Sequence, residues 1–237
     1  MNCPFCRSSE PVDFSGTQFL RCGYCGLFIN KRFPPDAQTL KKWCEKQMLK
    51  ACHNERKRRD RFEDAKHQLD ILERYAEPGL VFDVGAAAGF FMKVAMERGW
   101  KAHGNEISVK AIEWAKEQYG IDIEYGFFED LELEKNAYDA VVMWNILEHT
   151  YDPKQTLLTS REILRASGLL FIKVPNKKIA EELRRHYATA HLYEFTEECL
   201  ARHLEMLGFQ GVERVASHYP AGIVPECEYL YRKDMKR

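Results

Sequence analysis

Beyond residue 80, short apolar runs alternate with amphipathic segments. The amphipathic segments predict helices at residues 90–98, 108–119 and 152–167, each followed at once by a glycine, the residue favoured just past a helix end. The apolar runs predict strands at residues 80–84, 101–105, 121–125, 138–144 and 169–174. Strand–helix alternation of this kind predicts an α/β fold whose parallel sheet carries helices on both faces. In such sheets, ligands lie beyond the carboxyl ends of the strands.

The first 78 residues follow a different pattern. A turn is predicted at residues 33–36 (Phe-Pro-Pro-Asp), and the stretch from 39 to 75 favours helix. Four apolar residues recur there at helical spacing and should pack on the following domain: Phe62, Leu69, Leu72 and Tyr75. We therefore expect a small N-terminal module at residues 1–35, a helical linker or lid at 36–78 and the main domain at 79–237.

Composition and charge narrow the class of protein. The 237 residues are 45% hydrophobic and 30% charged, which is typical of a soluble globular chain. Lys and Arg total 35 against 36 Asp and Glu, a net charge of -1, so nucleic acid is not the expected partner. The basic run at residues 55–61 reads as a solvated helix face. With no apolar run of spanning length and no secretory signal, we expect no membrane partner and a cytoplasmic location. The sequence gives no signal for the oligomeric state.

Four cysteines near the N-terminus have the spacing of a metal site. Cys3 and Cys6 form one pair and Cys22 and Cys25 a second, each with two residues between, and 15 residues separate the pairs. Four thiolates satisfy tetrahedral Zn²⁺ and leave no open position, so the site would be structural. The spacing predicts a zinc ribbon whose metal supplies much of its folding energy. Free thiols or a redox pair are the alternatives.

A small-residue loop follows the first predicted strand of the main domain. Asp83 ends that strand, and the residues from Gly85 to Gly89 lead into a helix. Small residues let a ligand approach the backbone, and a helix N-terminus offers free N–H donors. Glu106 ends the next strand, where a carboxylate can accept both hydroxyls of a ribose. Together these features predict a nucleoside ligand, although the loop lacks the glycine pattern of dinucleotide sites.

Several motifs extend this reading along the chain. They are Asp83-Val84-Gly85-Ala86-Ala87-Ala88-Gly89, Gly104-Asn105-Glu106, Asn145-Ile146-Leu147-Glu148-His149, Val174-Pro175-Asn176 and His191-Leu192-Tyr193-Glu194-Phe195-Thr196. In order and spacing they resemble the class I S-adenosylmethionine-dependent methyltransferases, and in particular members with an N-terminal zinc ribbon. The resemblance implies a Rossmann-like sheet of seven strands, the last of them antiparallel. Residues 208–217 and 223–231 would supply the closing pair.

The resemblance also implies roles for individual residues in binding S-adenosylmethionine. The methionine part would be held by Asp83, Gly85, Ala86 and Gly89, the ribose by Glu106, the adenine by the backbone around Phe128, and the amino-acid end by Asn145. The sequence departs from the usual pattern at Ala87, which replaces a glycine. It departs again at Phe127, where an acid often accepts from the adenine amine. Glu129 or Asp130 would replace that acid.

Two histidines are candidates for the base in methyl transfer. His149 follows the fourth strand of the main domain, where the resemblance places the methyl group, and His191 precedes a helix capped by Thr196. A histidine can take a proton from a hydroxyl group or an activated carbon acid near neutral pH. Relatives often carry an acid directly before the second histidine, but this chain has Ala190. The alternative is that each imidazole is structural.

The resemblance to ribbon-bearing members predicts methyl transfer to a small-molecule acceptor, either sugar-related or another cell-surface metabolite. Methylation at oxygen, nitrogen and carbon all stay open. One alternative is a nucleic-acid or protein methyltransferase that grips its substrate through the ribbon. The other is a non-catalytic module that binds the cofactor or a partner.

Overall fold

The computed structural model describes residues 2–9, 11–13, 17–31, 38–39, 41–42, 54–175, 191–216 and 226–234. The strands in chain order are β1 (Pro11–Asp13), β2 (Phe19–Cys22), β3 (Phe28–Asn30), β4 (Leu80–Val84), β5 (Lys101–Glu106), β6 (Glu124–Tyr125), β7 (Tyr138–Trp144), β8 (Leu164–Pro175), β9 (Tyr193–Glu194), β10 (Phe209–Ala216) and β11 (Glu226–Lys233). The helices described are α1 (Glu55–Leu72), α2 (Phe90–Glu97), α3 (Val109–Tyr119), α4 (Pro153–Ile163) and α5 (Glu197–Met206). None of these helices is long and apolar enough to span a bilayer.

Seven strands form the main sheet, in the order β6-β5-β4-β7-β8-β11-β10. The five strands from β6 to β8 are parallel, whereas β11 runs antiparallel to both β8 and β10. This arrangement confirms the predicted α/β class, the seven strands and the antiparallel last strand. The carboxyl ends of β4, β5 and β7 therefore meet at one edge of the sheet.

Local capping signals set the helix starts. The Ser108 side chain accepts from the Ala111 N–H at the start of α3. The Asp152 side chain, just before α4, accepts from two N–H groups in the first turn of that helix. Gly120 ends α3 in the left-handed conformation. In α1, Leu69 and Leu72 are buried as predicted. Tyr75 lies past the helix end and is 36% exposed, but its side chain still meets the main domain through a hydrogen bond with Glu213 on β10.

Two predicted boundaries differ from the structure. The third strand of the main sheet is limited to β6, because only Glu124 and Tyr125 pair with the end of β5. Ile121 and Ile123 before it are buried but do not pair with β5. The helix α4 ends at Ile163 rather than near Gly168, because Leu164 already pairs with Tyr138. Gly168 thus lies inside β8, where a Cβ atom would come within 3.0 Å of the Arg165 carbonyl oxygen.

A second sheet contains the four-cysteine module. Its order is β1-β2-β3-β9, all antiparallel, so its last strand comes from the region just before α5. The apolar core runs across the boundary without a break, since Leu27 and Ile29 belong to the same buried cluster as Leu192, Phe195 and Leu200. The predicted turn at 33–36 and most of the stretch from 39 to 53 lie outside the described residues.

Candidate active site

The loop between β4 and α2 is built from left-handed residues. Gly85, Ala87 and Gly89 have φ angles of 65°, 55° and 73°. At Gly85 a Cβ atom would lie 2.3 Å from Cδ1 of Ile146, so the loop and the end of β7 are packed tightly together. Gly89 precedes Phe90, the first residue of α2. The loop therefore presents backbone rather than bulky side chains at the carboxyl edge of the sheet.

Ala87 adopts the conformation that usually calls for glycine. A left-handed residue with a Cβ costs about 1–2 kcal/mol. The Ala87 N–H donates to Oε2 of Glu106 at 3.0 Å, a charge-assisted bond that helps to hold this conformation. The departure from glycine noted in the sequence is therefore accommodated without a change in the course of the loop.

Glu106 joins the two strand ends. Besides Ala87, its carboxylate accepts from the N–H groups of Ile107 at 2.7 Å and Ser108 at 2.9 Å. Asn105 adds a second tie, accepting from the Gly85 N–H at 3.3 Å and donating to the Gly126 carbonyl at 2.9 Å. Sequence reasoning did not single out Asn105, although its place one residue before the carboxylate was a usable signal.

Asp83 is buried at the end of β4, 1% exposed. Desolvation, with a smaller contribution from the negative charge of Glu106, raises the pKa of Asp83 well above its usual value. The carboxyl group is therefore a neutral or readily protonated group in the cofactor-free chain. A cationic ligand group nearby would favour its ionised form.

The other predicted cofactor residues lie around the same edge. Asn145 follows β7 with a φ angle of 57°, and its N–H donates to the Lys173 carbonyl. Phe128 is buried against Phe82, with ring centroids 5.3 Å apart. The side chain of Glu129 accepts from the Thr156 hydroxyl on α4, and burial raises the pKa of Glu129. One Glu129 oxygen is thus engaged away from the loop.

The two predicted histidines lie together. The His149 and His191 rings meet edge to face with centroids 4.8 Å apart. His191 Nδ1 lies 3.0 Å from Oε1 of Glu194, and His149 Nε2 lies 3.9 Å from Oε1 of Glu148. Both carboxylates are 1% exposed, whereas the side chain of His149 is 25% exposed and that of His191 is 18% exposed. Each imidazole therefore has a buried carboxylate close to it and a partly open side.

Glu194 was not predicted as a partner of His191. The resemblance places an acid directly before the histidine, where this chain has Ala190, but the acid comes three residues after it. The spacing His191-Leu192-Tyr193-Glu194 was the available signal, because β9 starts at Tyr193 and turns Glu194 back towards the histidine. The Leu192 N–H also donates to the Glu148 carbonyl at 2.8 Å, which fastens this segment to the turn after β7.

The four N-terminal cysteines converge as predicted. Cys3 Sγ lies 3.6 Å from Cys25 Sγ, and Cys6 Sγ lies 3.5 Å from Cys22 Sγ. All four sulfur atoms lie within 4.8 Å of one another. Ligands about 2.3 Å from a tetrahedral zinc ion lie about 3.8 Å apart, so the sulfur set fits Zn²⁺. Desolvation raises the pKa of Cys22, but hydrogen bonds from the N–H groups of residues 25 and 24 and from the side chains of Cys25 and Cys6 together lower it to about 7.

Comparison with solved structures defines the class. A 1,6-didemethyltoxoflavin-N1-methyltransferase of Burkholderia thailandensis, bound to 1,6-didemethyltoxoflavin and S-adenosylhomocysteine, superposes with a TM-score of 0.67 at 17% identity, covering 95% of this chain and 100% of that one. A SAM-dependent methyltransferase of Methanosarcina mazei gives 0.61 at 15% identity, covering 69% of this chain and 97% of that one. The fold is that of the class I S-adenosylmethionine-dependent methyltransferases.

Sequence comparison gives the family. Residues 55–214, more than half of the chain, match the family described as methyltransferase domain, and the chain belongs to it. A ubiquinone biosynthesis O-methyltransferase of Chromobacterium violaceum is 28% identical over 118 residues, which is 46% of this chain and 51% of that protein. Its counterpart in Neisseria meningitidis serogroup A is 26% identical over 138 residues, 54% and 58% of the two chains. The chain thus spans only about half the length of these relatives.

Replacement of Asp83 by Asn should make stability less dependent on pH. The raised pKa means that the folded chain keeps this proton to higher pH than the unfolded chain. The favourable contribution is therefore complete below about pH 4 and is lost as the pH rises through the folded pKa. In cofactor-free protein, the free energy of unfolding of Asp83→Asn should exceed that of the wild type by an amount that grows with pH in urea titrations.

The exposed residue Asp60, on the surface of α1, provides the control. Asp60→Asn should change the free energy of unfolding little, as is usual for a surface substitution. Curves for Asp83→Asn that run parallel to those of the wild type would contradict the assignment of a buried, proton-retaining carboxyl group.

Proposed function

We propose that this chain transfers the methyl group of S-adenosylmethionine to a small-molecule acceptor that gives up a proton in the reaction. The observation that carries the proposal is the pairing of His191 with the buried carboxylate of Glu194, beside His149. His149 follows β7, whose neighbour in the sheet, β4, leads into the left-handed loop. The candidate base and the candidate cofactor loop therefore belong to one edge of the sheet.

The cofactor assignments rest on the backbone geometry of that edge. Glu106 would accept the ribose hydroxyls with an orientation already fixed by three N–H donors. The loop residues Asp83, Gly85, Ala86 and Gly89 would hold the methionine part, and Asn145 its amino-acid end. The backbone at Phe128 would contact the adenine. Glu129 would reach the adenine amine only through the oxygen that does not bond Thr156.

The chemistry asked of the protein is orientation and proton removal. S-adenosylmethionine, when bound, supplies the methyl group and its own leaving group. When Nδ1 of His191 carries the proton and donates to Glu194, Nε2 is an acceptor and can take a proton from the substrate. Glu194 then stabilises the imidazolium that forms. His149, with Glu148 beside it, would be the second polar wall of the acceptor site.

The acceptor class follows from the same groups. The hydroxyl group of a phenol or of a sugar-related compound can give its proton to a histidine base during methyl transfer, and so can a carbon or nitrogen acid. Relatives named ubiquinone biosynthesis O-methyltransferases favour oxygen as the methylated atom. The domain division at residues 35 and 78 and the structural role of zinc in the ribbon are parts of this proposal.

Loss of the histidine base should reduce turnover. Isotopically labelled methyl donor incubated with a metabolite extract should yield a labelled small molecule, identified by mass spectrometry. With that acceptor, His191→Gln should lower kcat by about 10²–10⁴-fold, the usual contribution of a general base, and His149→Gln should also lower it. The control is His103→Gln, because His103 lies on the exposed side of β5 and contacts Tyr138.

Wild-type turnover in both His149→Gln and His191→Gln would show that neither histidine is the base. An extract that remains unlabelled, with label instead on added RNA or protein, would replace the small-molecule acceptor by a macromolecule.

Removal of the Glu106 charge should weaken cofactor binding. The isosteric variant Glu106→Gln loses charge-assisted bonds worth about 1.5–3 kcal/mol each, so affinity for S-adenosylhomocysteine should fall at least about tenfold. Isothermal calorimetry measures this change, with the exposed Glu113→Gln as the matched control. Equal affinities in the two variants would remove Glu106 from the ribose site.

The cysteine cluster should carry one zinc ion for each chain. Elemental analysis of protein purified without added zinc should give a ratio near one, and Cys6→Ser should lower it towards zero. Cys227→Ser is the control, because Cys227 lies on β11 in the main sheet and is not one of the four clustered cysteines. A wild-type ratio near zero, or equal metal loss in both variants, would contradict a four-cysteine zinc site.

A further inference from the structure

The ribbon and the histidine cluster meet at one short strand pair. β3 pairs with β9, with Phe28 opposite Glu194 and Ile29 opposite Tyr193. Glu194 is the carboxylate beside His191, so the last ribbon strand lies directly against the backbone that carries the candidate base and its partner. A change in the position of β3 would therefore move both groups.

Asn30, the last residue of β3, contacts the backbone of His191 directly. Its side-chain Nδ2 donates to the His191 carbonyl at 2.8 Å, and its backbone N–H donates to the Leu192 carbonyl at 2.8 Å. The residue is 2% exposed. A buried amide is costly without hydrogen bonds, so these bonds fix the position of both partners.

The same segment is fastened on its other side. The Leu192 N–H donates to the Glu148 carbonyl, in the turn that also carries His149. A hydrogen-bonded path thus runs from Asn30 through Leu192 to Glu148. It crosses the space between the ribbon and the end of β7, and His191 lies on that path.

We propose that Asn30 is a positioning residue for the histidine cluster, and that the ribbon thereby forms one side of the active site and influences the reaction rate. The inference rests on the proposed role of His191 as a base. Asn30 touches neither acceptor nor cofactor in this account; it holds the 191–192 backbone so that the imidazole meets Glu194 and His149. Small displacements of catalytic groups are costly, which is why a residue outside the reaction can control its rate.

The metal of the ribbon enters this path through β3. Cys25 lies three residues before Phe28, and Cys22 ends β2, the other neighbour of β3. The Cys22 N–H donates to the Leu27 carbonyl, which closes the loop that leads into β3. Sulfur ligation at Cys22 and Cys25 would therefore fix the start of the strand whose end is Asn30.

The test compares Asn30→Ala and the isosteric Asn30→Asp with Lys31→Ala. The alanine removes the amide donor, and the aspartate places a carboxylate oxygen against the His191 carbonyl. Lys31 is the adjacent, exposed residue, whose Nζ donates to the Thr17 carbonyl within the ribbon. For each variant, zinc content and circular dichroism establish that the ribbon and the fold are intact.

The first readout is nuclear magnetic resonance of the histidine ring signals, assigned with His191→Gln and His149→Gln. The His191 ring signals should shift in Asn30→Ala and Asn30→Asp and stay in place in Lys31→Ala. The signals of His67, a residue of α1, are the internal reference and should stay in place in every variant. The second readout is calorimetry with S-adenosylhomocysteine, whose affinity should stay within about twofold. With the acceptor from the extract screen, kcat should fall by about 10–100-fold.

Unchanged His191 signals in metal-loaded Asn30→Ala would overturn the proposal, as would unchanged kcat. Loss of zinc from both Asn30 variants would also overturn it, because Asn30 would then be a structural residue of the ribbon. The ring signals and the calorimetry require no acceptor. Failure of methyl transfer itself is therefore seen separately, as an unlabelled extract beside an intact Asn30 effect on His191.

Discussion

One buried carboxylate holds the carboxyl edge of the main sheet together. Glu106 receives N–H donors from the loop after β4 and from the start of the β5–α3 connection, so two neighbouring strand ends are tied to each other. Burial of this charge is offset by those charge-assisted bonds. The left-handed course of the loop, including Ala87, depends on the same carboxylate. The course of the backbone at this edge is therefore set by hydrogen bonds to one carboxylate.

The fold could be predicted wherever local signals decide the outcome. The caps at Ser108 and Asp152 and the apolar runs of β4 and β7 acted through neighbours in sequence, and the structure confirms them. Prediction failed where a distant pairing decides. Leu164 becomes strand because Tyr138 lies beside it, and Ile121 stays outside the ladder because only Glu124 and Tyr125 pair with β5. The sequence of a segment shows its propensity to form a strand, but it does not show how far a distant strand will pair with it.

The residues of the candidate site fall into the same two groups: those that local sequence signals identify and those that only the folded structure identifies. The small-residue loop, Glu106 and His149 could be named because each lies at a predicted strand end, and His191 because its motif precedes a helix capped by Thr196. Glu194 was missed although it lies only three residues after His191, and Asn30 could not be named because its bond to His191 joins residues 161 positions apart. The sequence predicted a zinc ribbon, a helical linker or lid and a main domain in succession, without saying whether the ribbon packs on the main domain. The structure shows a shared apolar core and a shared sheet across that boundary.

The two-residue contact between β3 and β9 restricts how this chain can change over time. In a strand, successive side chains point to opposite faces, so a slip of one position would exchange the faces of Tyr193 and Glu194. The segment from Cys25 to Asn30 has no slack, because its beginning belongs to the cysteine cluster and its end is bonded to the His191 backbone. Insertions and deletions should be absent from this segment in proteins that keep the same architecture, even where its residue types vary.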